Sequence, residues 1–266
     1  EGVRRKEYPD DSVLRKARLR MLDMAVCLQQ TAQESGIPCS LDDGGVLGAL
    51  RQGGFIPWGD DMDFVVSHEH FKRLCRYLKN HPHPQYVLQD NETDRGYYKE
   101  WAMLRDLKSH PFSHEDPDSE NRRSFEAQKF NGLHIDIFPY EDHMIPWLQR
   151  LAGKLSVNVN LQFAGIHPLL AQSCYELLHY IVFPLFRFWG HLFGDPQSCM
   201  HSYGAWFYER HPKKYMIPHR DLLFEGYHFE GPAQPDQFCR VAYGNYMDLP
   251  PEDERDRHKV DIGIDE

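Results

Sequence analysis

The stretch Asp61-Met62-Asp63-Phe64-Val65-Val66 begins with alternating polar and apolar side chains. This period of two predicts a β-strand with one face in the core and one wet end. Side chains two apart on a strand project from the same face, so we expect Asp61 beside Asp63, with Met62 and Phe64 in the core. Two carboxylates held that close repel each other unless a cation lies between them. The stretch therefore predicts a strand that carries a site for a hard, oxygen-liganded cation such as Mg²⁺.

Segments on both sides of this strand predict an alternation of helices and strands. Apolar side chains recur every three or four positions from residue 13 to Gly36 and again in residues 68–78, which predicts two amphipathic helices. Residues 46–51 predict one or two helical turns. Strands are predicted at 39–43, 86–89, 101–107 and 133–138, the last closed by Pro139. Residues 1–143 should thus form a catalytic core with a mixed sheet and flanking helices, an α/β (α+β) fold.

The second half of the chain differs in composition. Residues 144–266 predict a helical region packed on the core on its substrate side, with a charged C-terminal tail. The most apolar part, residues 177–193, is 17 residues long and contains Pro184 and Arg187. A membrane span needs about 20 mostly apolar residues. Two interpretations are therefore open, a core helix kinked at its proline or a segment that rests on a membrane surface.

Charge and cysteine content exclude several classes of protein. The 266 residues include 30 Lys and Arg against 40 Asp and Glu, a net charge of -10, which argues against binding to duplex nucleic acid. The six cysteines are scattered without a C-x-x-C pair, so neither a zinc ribbon nor a redox motif is indicated. A cytoplasmic location, at most peripheral to the inner face of the membrane, is the expectation.

Asp136 is the third carboxylate with an unusual position. It lies between Ile135 and Ile137 in the middle of a predicted strand, where solvation gives no reason for a charge. A carboxylate on a strand next to Asp61 and Asp63 would complete a metal triad. The alternative is that each aspartate ends a strand or caps a helix, and for Asp43 and Asp60 that alternative is favoured.

Gly44-Gly45 lies between a predicted strand and the short helix that follows it. Glycine lets backbone N–H groups approach a phosphate closely, and a helix N-terminus favours negative charge. A glycine pair alone usually marks only a turn. Here it precedes the paired carboxylates by 16 residues, with a single carboxylate further on, and this order is the layout of the nucleotidyltransferase superfamily.

A more specific resemblance covers roughly residues 14–258. Residues 44–63, GGVLGALRQGGFIPWGDDMD, resemble the signature of the LicD family, which includes bacterial phosphocholine transferases and the fukutin-related ribitol-phosphate transferases. Further blocks resemble that family in the same order, namely Leu104-Arg105-Asp106, residues 132–139, Phe224-Glu225-Gly226, residues 243–251 and Arg255. The chain departs from the family at Gly59, where a further Asp is usual, and at Gly45, where Thr is frequent.

The resemblance implies a metal-dependent transfer of a substituted phosphate, such as phosphocholine or a polyol phosphate, from a CDP-linked alcohol to a sugar hydroxyl. The acceptor would be a glycan or a lipid-linked oligosaccharide, and the product a phosphodiester. Asp61 and Asp63 would hold Mg²⁺ or Mn²⁺ against the donor pyrophosphate, and Asp136 would bind the metal or take the acceptor proton.

Arg51 and Arg105 would neutralise phosphate oxygens, with a salt bridge as the alternative for either residue. Trp58 would form a wall of the donor pocket, or it would be an ordinary core aromatic residue. Gly44 and Gly45 would bind the donor phosphates. Two other functions stay open, a nucleotidylyltransferase that leaves NMP on a small acceptor, and a non-catalytic module that binds a glycan or a nucleotide.

Overall fold

A computed structural model describes residues 12–111, 126–249, 251 and 262–264. The helices are α1 (Val13–Ser35), α2 (Asp43–Arg51), α3 (His68–Asn80), α4 (Pro146–Asn158), α5 (Pro168–Leu177), α6 (Phe183–Phe193), α7 (Lys213–Met216) and α8 (Pro235–Tyr243). The strands are β1 (Ser40–Leu41), β2 (Asp63–Ser67), β3 (Tyr86–Gln89), β4 (Ala102–Asp106), β5 (Ser109–Pro111), β6 (His134–Asp142), β7 (Ser198–His201), β8 (His211–Pro212), β9 (Arg220–Phe224), β10 (Tyr227–Gly231) and β11 (Ile262–Ile264).

The main sheet has seven strands and confirms the predicted α/β class. Its order is β1-β2-β6-β4-β3, with β7 paired to β6 and β8 paired to β7. Strands β2 and β6 are parallel, and their register places Asp63 opposite Asp136. The other pairs in this sheet are antiparallel. The sheet thus brings together two carboxylates that are far apart in the sequence.

Strand β6 does not end at Pro139, as the sequence predicted, but continues to Asp142. Its pairing with β4 stops at Ile137, and its pairing with β7 starts at Tyr140. Proline has no backbone N–H to donate, so the interval between two antiparallel partners is a position where a strand tolerates it.

The core between α1, α3 and the sheet follows the predicted apolar patterns. Helix α1 begins where the Ser12 hydroxyl accepts a hydrogen bond from the Arg15 N–H at 3.1 Å, and it ends at Gly36, whose φ of 63° suits glycine. Met62 and Phe64 of the quoted stretch are fully buried, as predicted. The strand itself begins only at Asp63, however, so Asp61 belongs to the loop that leads into it.

In the second half, the long helices end at Phe193, and strands β7 to β10 follow together with the shorter helices α7 and α8. The prediction of a helical region at 144–266 is therefore wrong for the residues of these strands. The boundary at residue 143 stays a prediction. Part of the charged tail returns to the core region, because β11 pairs with β5. Residues 1–11, residues 112–125 and most of the charged tail, including Arg255, lie outside the described residues.

One continuous helical run, Pro168–Phe193, is long and apolar enough to cross a membrane by length and composition, and only 22% of its most apolar window is buried. It consists of α5, a wider π-helical turn (Leu178–Val182) and α6. The wide turn comes just before Pro184, which cannot donate the next helical hydrogen bond. The interpretation of residues 177–193 as a core helix is wrong for most of these side chains, which are exposed.

Candidate active site

Arg18 of α1 holds the loop that contains Trp58. Its buried guanidinium donates to the Gly59 carbonyl at 2.9 Å and to the Ile56 carbonyl at 2.8 Å. The other end of this loop is held by Glu225, whose carboxylate accepts from the Phe55 N–H at 3.3 Å. A buried guanidinium that satisfies several carbonyl groups fixes a loop whose own backbone bonds are few. Trp58 therefore stands at a defined place beside α2.

A cavity of about 510 Å³ lies between this loop, the start of α2 and the C-terminal block. It brings together four of the predicted site residues, which are Gly44, Arg51, Trp58 and Asp61. Residues that the sequence did not single out as site residues also line it, among them Asp43, Tyr243, Tyr246 and Asp248. The sequence did contain a signal for three of them, Tyr243, Tyr246 and Asp248, because they fall in the block 243–251 that resembles the LicD family.

Arg51 connects the two sides of the cavity. Its Nη1 donates to the Tyr246 carbonyl at 3.0 Å, and its guanidinium carbon lies 5.4 Å from the centre of the Trp58 ring. A guanidinium over an indole ring keeps its charge and gains a cation–π contact. The cavity has a fixed positive charge at its aromatic wall.

Helix α2 starts earlier than predicted, so the glycine pair lies inside its first turn. Asp42 is the residue before the helix, and Asp43 begins it with a φ of 37°, which non-glycine residues rarely adopt. Gly44 lines the cavity. Gly45 is buried, donates its N–H to the Asp42 carbonyl at 2.9 Å and packs against Leu41. Only the first glycine of the predicted pair thus faces the cavity.

Asp63 and Asp136 are register partners on β2 and β6, and neither lines the cavity. Both are buried, with 7% and 9% of their surface exposed, whereas Asp61 is exposed and lines the cavity. Burial, with the charges of Asp61 and Asp136, raises the pKa of Asp63 well above its ordinary value. Burial also raises the pKa of Asp136 to about 6. The register of β2 and β6 thus adds Asp136 as a second acidic neighbour of Asp63, besides Asp61.

Two N–H groups point at the Asp136 carboxylate. The Trp101 Nε1 donates to Oδ1 at 2.7 Å, and the His134 Nε2 lies 3.5 Å from Oδ2. Arg105 Nη1 lies 3.0 Å from His134 Nδ1. A guanidinium can only donate, so Nδ1 must accept and Nε2 must carry the proton. Burial and the charges of Arg105 and Lys99 hold the pKa of His134 well below its usual range, which keeps the ring neutral.

Arg105 is not brought to the cavity. It is buried, and it donates to the Gln89 side chain at 2.6 Å and to the Gly132 carbonyl at 2.8 Å besides His134. These partners hold its guanidinium next to His134, and Arg105 does not line the cavity. Direct contact with a donor phosphate, which the resemblance implied, does not follow from this position. Arg105 contacts the His134 ring and therefore acts as a residue that positions this ring.

Lys99 is a charged residue near Asp136 that the sequence analysis missed. Its ammonium lies 5.0 Å from the Trp101 ring centre and within 6 Å of the rings of Tyr97 and Trp206. Burial lowers the pKa of Lys99 to about 8, and the charge of Asp136 acts in the opposite direction. The aromatic stretch around it, Tyr97-Tyr98-Lys99-Glu100-Trp101, was the signal that could have identified it.

A His–Asp pair lies next to the start of β2, where the Asp42 N–H donates to the Asp63 carbonyl at 2.9 Å. His201 Nε2 and Asp42 Oδ2 are 2.7 Å apart, although 159 residues separate them in the chain. Burial alone would raise the pKa of Asp42, but the His201 ring lowers it below the ordinary value, and the same contact raises the pKa of His201. Asp43 receives a hydrogen bond from the Tyr243 hydroxyl. Burial and the charge of Asp42 raise the pKa of Asp43 to about 6.

The donor chemistry of Asp61, Asp63 and Asp136 fits a divalent cation. Carboxylate oxygens are the ligands that Mg²⁺ and Mn²⁺ prefer, and carboxylates with raised pKa values gain most from a nearby positive charge. Within the described ranges, however, no three His, Cys, Asp or Glu side chains are grouped closely enough to hold a metal ion. The three side chains are thus chemically suited to a divalent cation, but in this structure they do not stand close enough together to coordinate one.

Two comparisons with known proteins bear on this site. Residues 36–157 match the family model described as LicD/FKTN/FKRP, nucleotidyltransferase domain. The chain is also similar to the lipopolysaccharide cholinephosphotransferase LicD of Haemophilus influenzae, with 23% identity over 270 aligned positions that cover 93% of this chain and 96% of the relative. The range matched by the family model includes all residues predicted to bind the metal or the donor.

Proposed function

The chain belongs to the LicD family, as its motifs predicted, and on this premise we propose that it transfers a substituted phosphate from a CDP-linked alcohol to a sugar hydroxyl of a glycan. Phosphocholine is the first group to test, because the similar Haemophilus protein is named as a lipopolysaccharide cholinephosphotransferase. The observation that carries the proposal is the cavity that joins Gly44, Arg51, Trp58 and Asp61, whose charge acts on the buried carboxyl groups of Asp63 and Asp136.

Residues of the cavity account for binding of the donor. The Arg51 guanidinium is suited to a phosphate oxygen, and the N-terminal turn of α2 at Gly44 favours negative charge. Trp58 offers an aromatic face next to that charge. Asp61, Asp63 and Asp136 are the residues that would hold Mg²⁺ or Mn²⁺, which supplies positive charge to the pyrophosphate oxygens when bound.

Asp136 is the residue that we assign to proton transfer. The acceptor oxygen forms a bond to the phosphorus of the substituted phosphate, the bond from this phosphorus to the CMP oxygen breaks, and CMP leaves with the electron pair. The hydroxyl proton moves to the Asp136 carboxylate. The N–H groups of Trp101 and His134 hold that carboxylate in place.

The experiment combines CDP-choline, Mg²⁺ and a lipopolysaccharide acceptor with the purified chain and measures the nucleotide released. We expect CMP, and we expect Asp63→Asn to lower turnover by about 10²–10³-fold, as for loss of one electrostatic group in an active site. Asp221→Asn on β9 is the matched control, since it neutralises an exposed carboxylate outside the cavity and should leave turnover unchanged.

Other outcomes distinguish the alternatives. Release of pyrophosphate from CTP would indicate a nucleotidylyltransferase, and binding without transfer would indicate a non-catalytic module.

A thermal-shift screen with CDP-choline, CDP-ribitol, CDP-glycerol and CDP-ethanolamine, each with Mg²⁺ or Mn²⁺, selects the donor, because a ligand that binds only the folded state raises the Tm. If none of these compounds raised the Tm while another nucleotide did, the CDP-linked donor would be wrong. The assignment to the cytoplasm is part of the same proposal, because CDP-linked donors are soluble nucleotides.

A further inference from the structure

The helical run Pro168–Phe193 has one buried face and one exposed apolar face. Its buried residues include Ala171, Tyr175, Leu178 and Phe183, which recur every three to five positions and belong to a second hydrophobic cluster, separate from that of the sheet core. The exposed side carries large apolar side chains along its whole length, which are Leu169, Leu170, Leu177, Tyr180, Ile181, Leu185, Phe188, Trp189, Leu192 and Phe193. We call this exposed side the apolar face.

A surface of this size is unusual on a folded domain. Single exposed apolar side chains are common, but a contiguous row of them marks a binding surface. The spacing of Leu177, Ile181, Leu185, Phe188 and Leu192 is three or four residues, so these side chains follow one stripe of the helix. The helix thus presents a continuous apolar strip outwards while its other side is anchored in the protein.

The charge around the apolar face distinguishes it from the rest of the chain. Residues 143–194 contain three basic side chains and one acidic side chain, Glu176, whereas the whole chain has 30 basic and 40 acidic residues. Arg187 on the helix is paired with Glu141 at 2.9 Å. The positive charges that project into solvent are Arg150 and Lys154 of α4.

Helix α4 repeats the same combination on its exposed side. Trp147, Arg150, Leu151 and Lys154 are three or four residues apart and are all exposed. Its buried residues Leu148 and Ala152 pack on the same cluster as the long helical run. Trp and Leu next to Arg and Lys are the composition of helices that lie in the interface of a membrane with anionic lipids.

We propose that α4 and the apolar face of Pro168–Phe193 dock on the surface of an anionic phospholipid bilayer. The helical run lies in the interface and does not cross the bilayer, because crossing would require Tyr175 and Phe183 to leave the apolar cluster that they share with Tyr203 and Met200. The exposed aromatic residues enter the headgroup region, and Arg150 and Lys154 meet the lipid phosphates. This docking does not depend on the identity of the transferred group.

Co-sedimentation of the full chain with vesicles tests the proposal. We expect binding to vesicles of phosphatidylglycerol and phosphatidylethanolamine, weaker binding to phosphatidylcholine vesicles, and release by an alkaline carbonate wash. Phe188→Gln combined with Leu192→Gln replaces side chains that are 60% and 59% exposed and should weaken binding at least about tenfold. Arg150→Gln with Lys154→Gln should weaken binding to the anionic vesicles by about fivefold for each charge.

The matched control is Leu107→Gln combined with Leu223→Gln, which replaces side chains that are 51% and 53% exposed outside the apolar face. It should bind vesicles like the wild type. Tryptophan fluorescence provides a second measurement that needs no polar substitution. Brominated lipids should quench the wild type, and the conservative variant Trp189→Phe should lose part of that quenching while it binds as well as the wild type.

Four results would overturn the proposal. The first is that the wild type does not bind anionic vesicles. The second is that the variant with Phe188→Gln and Leu192→Gln binds them as tightly as the wild type. The chain would resist the carbonate wash, which would mean that the helix crosses the bilayer. Finally, light scattering without lipid would show a dimer that the same double variant converts to a monomer, which would mean that a second copy covers the apolar face.

Discussion

Asp63 of β2 and Asp136 of β6 are register partners on adjacent parallel strands, and both are buried. Burial raises the pKa of each carboxyl, and the neighbouring negative charges raise that of Asp63 further. In the folded chain these groups therefore hold their protons to a higher pH than in the unfolded chain. A divalent cation bound at the pair would compete with those protons, which couples metal binding to pH.

Stabilisation of the fold by Mg²⁺ or Mn²⁺ should grow as the pH rises through about 6. The pKa of Asp136 is about 6 in the folded chain and 3.8 ordinarily, so the folded state binds more protons between these values, and stability falls as the pH rises through this range. A bound cation offsets the repulsion once the carboxylates are ionised. Thermal unfolding with and without metal at pH 5 and pH 8 measures the effect. An equal metal-induced rise in Tm at both values would contradict it.

The variant Asp63→Asn should be more stable than the wild type at pH 8 without metal. The substitution removes a buried charge that Asp61 and Asp136 repel while keeping the size of the side chain. We expect a rise in Tm of about 2–4 °C, which corresponds to about 1 kcal/mol in a chain of this size. The rise should be smaller at pH 5, where the wild-type carboxyl is closer to neutral. Asp221→Asn, with its exposed carboxylate, serves as control and should change the Tm little at either pH.

The Asp42–His201 pair should stabilise the fold most between the ordinary pKa values of its members. The pKa of His201 is raised, so its contribution is complete below its ordinary 6.5 and is lost as the pH rises through the higher folded value. The pKa of Asp42 is lowered, so its contribution is present above its ordinary 3.8 and is lost as the pH falls through the lower folded value. The loss of Tm in Asp42→Asn should be largest near pH 5–6. A loss that stayed constant up to pH 9 would exclude this ion pair.

Arg51→Lys should weaken donor binding although it keeps the positive charge. The planar guanidinium over Trp58 and its bond to the Tyr246 carbonyl cannot be reproduced by an ammonium. We expect the KM for the donor to rise by about tenfold, the equivalent of about 1.4 kcal/mol. Trp58→Phe retains an aromatic face and should raise the KM less than Trp58→Ala. Steady-state kinetics with the nucleotide donor measures all three variants, and unchanged KM values would remove Arg51 from the donor site.

Gly44→Ala and Gly48→Ala in α2 should have opposite effects. A Cβ at Gly44 meets nothing within 4 Å, and alanine favours the helix, so the Tm should stay unchanged or rise while donor binding weakens at the cavity. A Cβ at Gly48 would overlap the carbonyl oxygen of Gly54, so this variant should be destabilised by about 1–3 kcal/mol. Thermal unfolding and donor titration of the two variants separate a cavity role from a packing role. Tight donor binding by Gly44→Ala would show that the donor does not approach this turn.

The sequence alone determined five strands of the main sheet and the carboxylates at its centre, whereas β7 and β8 fall in a region predicted to be helical. The period of two at Asp63 and Phe64 and the isoleucines around Asp136 are local patterns, and each needs only the burial of one strand face to be interpreted. The helix from Val13 to Gly36 and strand β3 were predicted for the same reason. The family resemblance added the order of the motifs, and Gly44, Arg51, Trp58 and Asp61 do line one cavity.

Only the tertiary structure decided which of these residues meet. Asp136 becomes a neighbour of Asp63 because β2 and β6 pair in parallel, and the local pattern of neither strand predicts that pairing. Other features depend on contacts across the fold as well. They are the pair of Asp42 and His201, the contact of Arg105 with His134 and the position of Lys99 among three aromatic rings. The apolar run at 177–193 has the composition of a core helix, and its exposure depends on which face the rest of the chain covers. Local periodicity reports burial along one element, whereas these features arise from the packing of several.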